Sequence, residues 1–74
     1  MFAMIFHFSL SIDYQTFLHH YHGQAQQILV WSEEGKRLSL PAARFRTFLL
    51  HNGVNGRFRL EINAQNSIVS LQRC

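Results

Sequence analysis

The sequence contains few cysteine, proline and acidic residues, and what it lacks excludes several classes of protein. One cysteine among 74 residues rules out an intramolecular disulfide framework and a cysteine-based zinc finger. A hydrophobic fraction of 47% is too high for an intrinsically disordered chain, and a charged fraction of 15% is too low for a coiled coil. What remains is the composition of a folded protein.

No hydrophobic run is long enough to cross a membrane, which takes about 20 predominantly apolar residues. The apolar start of the chain is interrupted at His7, Ser9, Ser11 and Asp13. It also lacks the positive segment and the small-residue cleavage site of a signal peptide. Because there is no export signal and only one thiol, the sequence predicts a cytoplasmic protein.

The length predicts one small domain, spanning residues 1–74. A chain of this size buries only about 60% of the surface that it exposes when unfolded. No disulfide or evident metal compensates for this, so we expect association with a partner or with a second copy.

Two patterns in the first third predict a strand followed by a helix. Residues 5–12 alternate in polarity, with Phe6, Phe8, Leu10 and Ile12 on one side, as in a half-buried strand. After a cap at Ser11 or Asp13, apolar residues recur at helical spacing. They are Tyr14, Phe17, Leu18 and Tyr21. Gly23 is then predicted to end the helix in a left-handed conformation.

The middle of the chain predicts a hairpin and a second helix. Residues 26–32 and 37–40 have the composition of strands, joined by a turn at 33–36. Pro41 suits the first position of a helix. The apolar stripe of that helix would be Pro41, Ala42, Phe45, Phe48 and Leu49. Residues 52–53 would end it, and residues 54–56 are predicted to form a further turn.

The last third predicts two more strands. Residues 57–62 alternate, with Phe58, Leu60 and Ile62 facing inward, and residues 68–71 follow after a turn at 63–66. The order β-α-β-β-α-β-β is that of an α+β protein, and its first six elements have the ferredoxin-like order. We expect two short helices on one face of a mostly antiparallel sheet. The alternative is a meander of the last four strands with the first strand paired at an edge.

Three segments, FSLSIDYQTFLHHYHG, LPAARFRTFL and HNGVNGRFRL, resemble a small bacterial family, the domain of unknown function 2835. The resemblance extends over nearly the whole chain. The positions that carry it are Phe8, Ser9, Leu10, Tyr14, Phe17, Tyr21, Gly23, Leu40, Pro41, Ala42, Arg46, Phe48, Gly53, Gly56 and Phe58. It implies a single-domain cytoplasmic bacterial protein, and it implies no activity.

No arrangement of residues predicts catalysis or a cofactor. His19 and His22 lie on one side of the first helix, but a metal would need a third ligand from His7, His51 or Asp13, so we expect a solvated helix end. Cys74 is the last residue, and no serine lies in a nucleophile-elbow motif. We therefore expect a protein that is not an enzyme, with no metal and no small-molecule substrate.

Six of the seven basic residues are arginines, and they supply the main functional signal. If both helices cover one face of the sheet, six side chains stand on the open face. They are Trp31, Leu29, Arg37, Arg57, Arg59 and His7. Tryptophan and arginine are enriched at the centres of protein interfaces, and Leu50, predicted to be exposed, adds to the apolar surface.

These residues favour a non-enzymatic protein-interaction module that self-associates through the open sheet face. The alternative is weak RNA or DNA binding, with guanidinium groups on phosphates and Trp31 stacked on a base. A third interpretation is that Arg57 and Arg59 only pair with Glu33, Glu34 or Glu61 and keep the sheet soluble. The net charge of +3 predicts modest affinity for nucleic acid.

Overall fold

Five strands form two separate antiparallel sheets in the computed structural model, which describes residues 3–23 and 26–74. One sheet has three strands in the order β1-β4-β5, and the other is the β2–β3 hairpin. The elements are β1 (Met4–Ile12), α1 (Tyr14–His22), β2 (Gln27–Trp31), β3 (Arg37–Pro41), a 3-10 helix (Ala42–Phe48), β4 (Val54–Ile62) and β5 (Ile68–Arg73). The α+β class and the predicted order of elements are confirmed.

The expected single sheet is not what forms. β1 lies at an edge, as in the alternative, but it pairs with β4 over its whole length, from Met4 opposite Ile62 to Ile12 opposite Val54. Within residues 3–23 and 26–74, β3 pairs only with β2, so these residues form no meander of four strands. Alternation in a sequence indicates which side of a strand is buried, but it does not indicate which strand lies beside it.

One hydrophobic core joins both sheets. β1 contributes Phe6 and Phe8, while β4 contributes Phe58, Leu60 and Ile62, as the alternation predicted. The hairpin turns its own alternate residues to the same core, namely Ile28, Val30, Leu38 and Leu40. Both helices add to it, so the buried side of each sheet faces the helices and the opposite side is left open.

The second helix is a 3-10 helix rather than the expected α-helix. Ala42, Phe45 and Phe48 recur every third residue, and three residues per turn place them on one side. The ring of Phe45 packs 6.1 Å from that of Phe8 and 5.6 Å from that of Phe58, measured between centroids. Pro41 was expected inside this helix, but it is the last residue of β3 and lies opposite Gln27.

The first helix forms where it was predicted, but it is less buried than its stripe indicated. Phe17 is fully buried, whereas Tyr14 is 37% exposed. Gly23 has a φ of −78°, so the expected left-handed end is wrong. Glycine is needed there for space, because a Cβ atom would lie 2.5 Å from the carbonyl oxygen of His19.

Residues 54–56 were expected to form a turn, but they are the first residues of β4. Val54 is buried and lies opposite Ile12, and Gly56 lies opposite Leu10. Gly53 makes this close start possible. It has a φ of +103°, and a Cβ atom on it would collide with the carbonyl oxygen of Ile12.

Candidate functional site

The structure places the six predicted interaction residues on two different sheets. Leu29, Trp31 and Arg37 lie on the open side of the β2–β3 hairpin, which we call the outer hairpin face. The other three lie on the open side of the three-stranded sheet, which we call the outer sheet face, and they are His7, Arg57 and Arg59. The single face assumed from the sequence is therefore two faces with different chemistry.

The outer hairpin face is apolar and exposed. Trp31 is 69% exposed and Leu29 is 57% exposed. They belong to a run of four consecutive apolar residues, so the sequence alone did not determine which side of β2 would be buried. Arg37 lies directly opposite Trp31, and Ser39 lies opposite Leu29. A shallow recess of about 290 Å³ opens beside the indole. This face thus offers a large apolar side chain next to a cation.

The backbone hydrogen bonds of the hairpin explain why these side chains lie close together. The amide of Ser32 donates to the carbonyl of Lys36 at 2.8 Å, and that of Ala42 donates to Gln26 at 2.9 Å. Hydrogen-bonded pairs alternate with non-bonded pairs along an antiparallel ladder. Trp31 and Arg37 therefore form a non-bonded pair, in which opposite side chains are closest.

The outer sheet face, in contrast, is neutralised by carboxylates from the hairpin turn. Arg57 donates two hydrogen bonds to Glu33, from Nε to Oε2 at 2.7 Å and from Nη2 to Oε1 at 2.8 Å. This bidentate bond lowers the pKa of the Glu33 carboxyl below its ordinary value of 4.5 and raises the pKa of Arg57. The pairing of Arg57 with Glu33, which the third interpretation included among its alternatives, is therefore observed.

Glu34 and His7 tie the same turn to the free edge of β1. The backbone amide of His7 donates to Oε1 of Glu34 at 2.9 Å, and its Nδ1 lies 3.0 Å from Oε2. The amide of Glu33 donates to the carbonyl of His7 at 2.6 Å. The bond from the His7 amide, followed by that to the imidazole, holds the pKa of the Glu34 carboxyl below 4.5.

Arg59 completes the ion pairs of the outer sheet face, with its Nη1 lying 3.7 Å from Oε1 of Glu61. Three of the four acidic residues of the chain thus lie beside two of its arginines and one histidine. Because these arginines already have carboxylate partners on the protein, a phosphate would have to compete with them.

The remaining cations lie largely elsewhere, and three of them line a cleft that the sequence analysis did not identify. Lys36, Arg37 and Arg44 surround a cleft of about 500 Å³ between β3 and the β4–β5 turn. Only Arg37 was among the predicted site residues. The adjacent pair Lys36 and Arg37 was visible in the sequence, but the approach of Arg44 depends on the fold.

The residues considered for metal binding or nucleophilic chemistry are not brought together. Within residues 3–23 and 26–74, no three histidine, cysteine or carboxylate side chains lie close enough to hold a metal. His22 packs its ring against Tyr21 instead, with 5.1 Å between centroids. Cys74 is exposed, and none of the described helices is long and apolar enough to span a membrane.

Comparison with known proteins identifies the family without adding an activity. A family model described as a protein of unknown function (DUF2835) matches residues 4–74, which is nearly the whole chain. The resemblance seen in the three sequence segments is therefore confirmed. No curated protein and no solved structure gives a significant match.

Proposed function

We propose that this chain, which belongs to the DUF2835 family, works by binding another protein surface, and first of all a second copy of itself, through the outer hairpin face. The observation that carries the proposal is the 69% exposure of Trp31 beside Leu29 and Arg37. An indole in water leaves a large apolar area unburied, and burying it stabilises a complex by roughly 25 cal/mol per Å².

Self-association suits this face because its groups complement one another across a two-fold axis. In a two-fold symmetric dimer both copies use the same surface, so every contact between two residues occurs twice. The guanidinium of Arg37 can then lie over the indole of Trp31 in the partner, a cation–π contact. Among the described residues, neither strand of the hairpin carries a carboxylate and no ion pair includes Arg37, so its guanidinium is available for this contact.

The decisive experiment measures mass in solution. We expect the protein to be a dimer at micromolar concentration and Trp31→Ala to be a monomer with unchanged circular dichroism. The matched control is Leu50→Ala, because Leu50 is 53% exposed and lies outside the hairpin, after the 3-10 helix. A wild-type monomer at tens of micromolar concentration, or equal loss in both variants, would reject self-association through this face.

Trp31 is the only tryptophan and reports on the same event by fluorescence. Its emission should shift to longer wavelength on dilution, as the indole passes from the interface into water. A spectrum that does not change over a hundred-fold dilution, while the mass falls to that of a monomer, would place the interface elsewhere.

A further inference from the structure

The cleft between β3 and the β4–β5 turn has the size and composition of a binding site. Its volume of about 500 Å³ lies within the range of about 300–1,000 Å³ that is usual for ligand sites. Leu60 and Ile62 of β4 form part of its apolar floor. Lys36, Arg37 and Arg44 are exposed at its rim.

The edge of β3 brings unpaired backbone groups to this cleft. In the hairpin ladder Leu38 and Leu40 are the residues of β3 that exchange hydrogen bonds with β2, so the amide and carbonyl groups of Arg37 and Ser39 point away from β2. β3 has no second neighbouring strand among the described residues. Both residues line the cleft, where their backbone groups can accept another strand.

The charge of the cleft is of one sign. Its lining includes three cations and no acidic residue. None of the three ion pairs found in the described part of the chain involves Lys36, Arg37 or Arg44. The acidic residues that could have neutralised them are held at the outer sheet face or, in the case of Asp13, lie before α1.

We infer that this cleft binds an extended acidic segment of a partner protein, which adds a strand to the free edge of β3. Backbone hydrogen bonds to Arg37 and Ser39 would hold the segment. Side chains of an added strand alternate between two sides. One set would face the apolar floor formed by Leu60 and Ile62, and the other would meet the cations. The recognised pattern is therefore apolar residues alternating with aspartate or glutamate.

This site shares Arg37 with the proposed dimer surface, but it does not require self-association. Trp31 does not line the cleft, and neither Lys36 nor Arg44 lines the recess beside the indole. The variant Trp31→Ala should therefore keep peptide binding after it has lost self-association. Failure of one proposal is thus distinguishable from failure of the other.

The test uses a short fluorescein-labelled peptide in which valine alternates with glutamate, and binding is followed by anisotropy. We expect Arg44→Glu to weaken binding by about tenfold or more, while Arg46→Glu changes it by less than about twofold. The two variants make the same change of charge two residues apart on the 3-10 helix, but only Arg44 lines the cleft. Lys36→Glu repeats the test from β3's side if Arg44→Glu fails to fold.

A second set of ligands tests the strand addition itself. A peptide methylated at alternate amide nitrogens, on the side that pairs, should lose binding, and the amides of Arg37 and Ser39 should exchange more slowly when the unmodified peptide is bound. Full binding of the methylated peptide, equal effects of Arg44→Glu and Arg46→Glu, or no binding at about 1 mM peptide would overturn the inference. Tighter binding of a single-stranded oligonucleotide would overturn it in favour of nucleic acid.

Discussion

The outer sheet face and the outer hairpin face are both open sides of small antiparallel sheets, yet their side chains differ in whether their charges are paired. On the first, Arg57 and Arg59 have carboxylate partners supplied by the protein itself. On the second, Trp31 and Leu29 are exposed, and no carboxylate on that face pairs with Arg37. A face whose charges are paired internally has less to gain from a partner than one that leaves an indole in water.

The difference has a simple origin in the hairpin turn. Glu33 and Glu34 sit at the tip of the hairpin, and the tip reaches the free edge of β1. The carboxylates therefore fall on the outer sheet face, although the sequence places them next to the hairpin strands. The conformation of one turn thus places both carboxylates beside the three-stranded sheet and leaves the hairpin strands without acidic side chains.

The largest expected effect comes from breaking the core that both faces share. Phe58→Ala removes a fully buried ring that packs against Phe8, Phe45 and Phe48, and it should lower the free energy of unfolding by roughly 3–5 kcal/mol. The exposed Val69→Ala serves as control and should change it by about 0.5 kcal/mol or less.

The same variant tests whether the two faces belong to one folding unit. In urea, the folded amide resonances of the β2–β3 hairpin and the far-ultraviolet circular dichroism should be lost together, because one core supports both sheets. A hairpin signal that persists after the circular dichroism is lost would show that the two regions fold independently.

A smaller effect is expected from acid, through the two carboxylates that the hairpin turn brings to the outer sheet face. The folded protein lowers the pKa of Glu33 and Glu34, so the unfolded chain binds more protons and stability rises with pH. Their contribution is complete above the ordinary value of 4.5 and is lost as pH falls through the lowered folded values.

The urea midpoint, measured against pH, should therefore fall less steeply below pH 4.5 in the double variant Glu33→Gln, Glu34→Gln than in the wild type. Asp13→Asn is the matched control, because Asp13 caps α1 without a side-chain hydrogen bond. A slope that Asp13→Asn reduces as much as the double variant does would show that the ion pairs are not the cause.

The smallest effect concerns nucleic acid, for which the sequence predicted a single open face that carried Trp31, Arg57 and Arg59. We expect the wild type to bind mixed single-stranded RNA weakly, with an affinity that falls steeply between two salt concentrations. Glu33→Gln frees Arg57 and should raise the affinity slightly, since only one phosphate contact is gained. Strong binding by the wild type that Arg57→Ala abolishes would contradict the view that this face is neutralised.

The sequence predicted β1 and β4 well because both alternate in polarity. Phe6 and Phe8, or Phe58 and Leu60, define a buried side without reference to any other part of the chain. Alternation could not orient β2, whose residues are apolar on both sides, so the exposure of Leu29 and Trp31 was expected only if the other residues of β2 faced the helices. Leu50 is exposed as predicted, although it lies after the 3-10 helix rather than on a helix.

What the sequence could not provide depends on contacts between distant residues. The sequence offered Glu33, Glu34 and Glu61 as candidate partners of Arg57 but could not choose among them, because Arg57 and Glu33 are 24 positions apart and no periodicity links them. The gap between β3 and β5 depends on which strands pair, so the cleft was not foreseen. The 3-10 helix is a different case, because the three-residue spacing of Ala42, Phe45 and Phe48 was present in the sequence and could have predicted it.

The hydrogen bonds between the hairpin turn and His7 have a consequence for aggregation of the chain. β1 is a nine-residue edge strand without proline, lysine or acidic residues, and such segments readily template the stacking of identical chains into fibrils. The hairpin turn forms hydrogen bonds with both the amide and the carbonyl of His7, near the middle of that edge. An incoming strand therefore finds no continuous row of unpaired backbone groups along β1. Glu33 and Glu34 are thus expected to hinder aggregation as well as to form ion pairs.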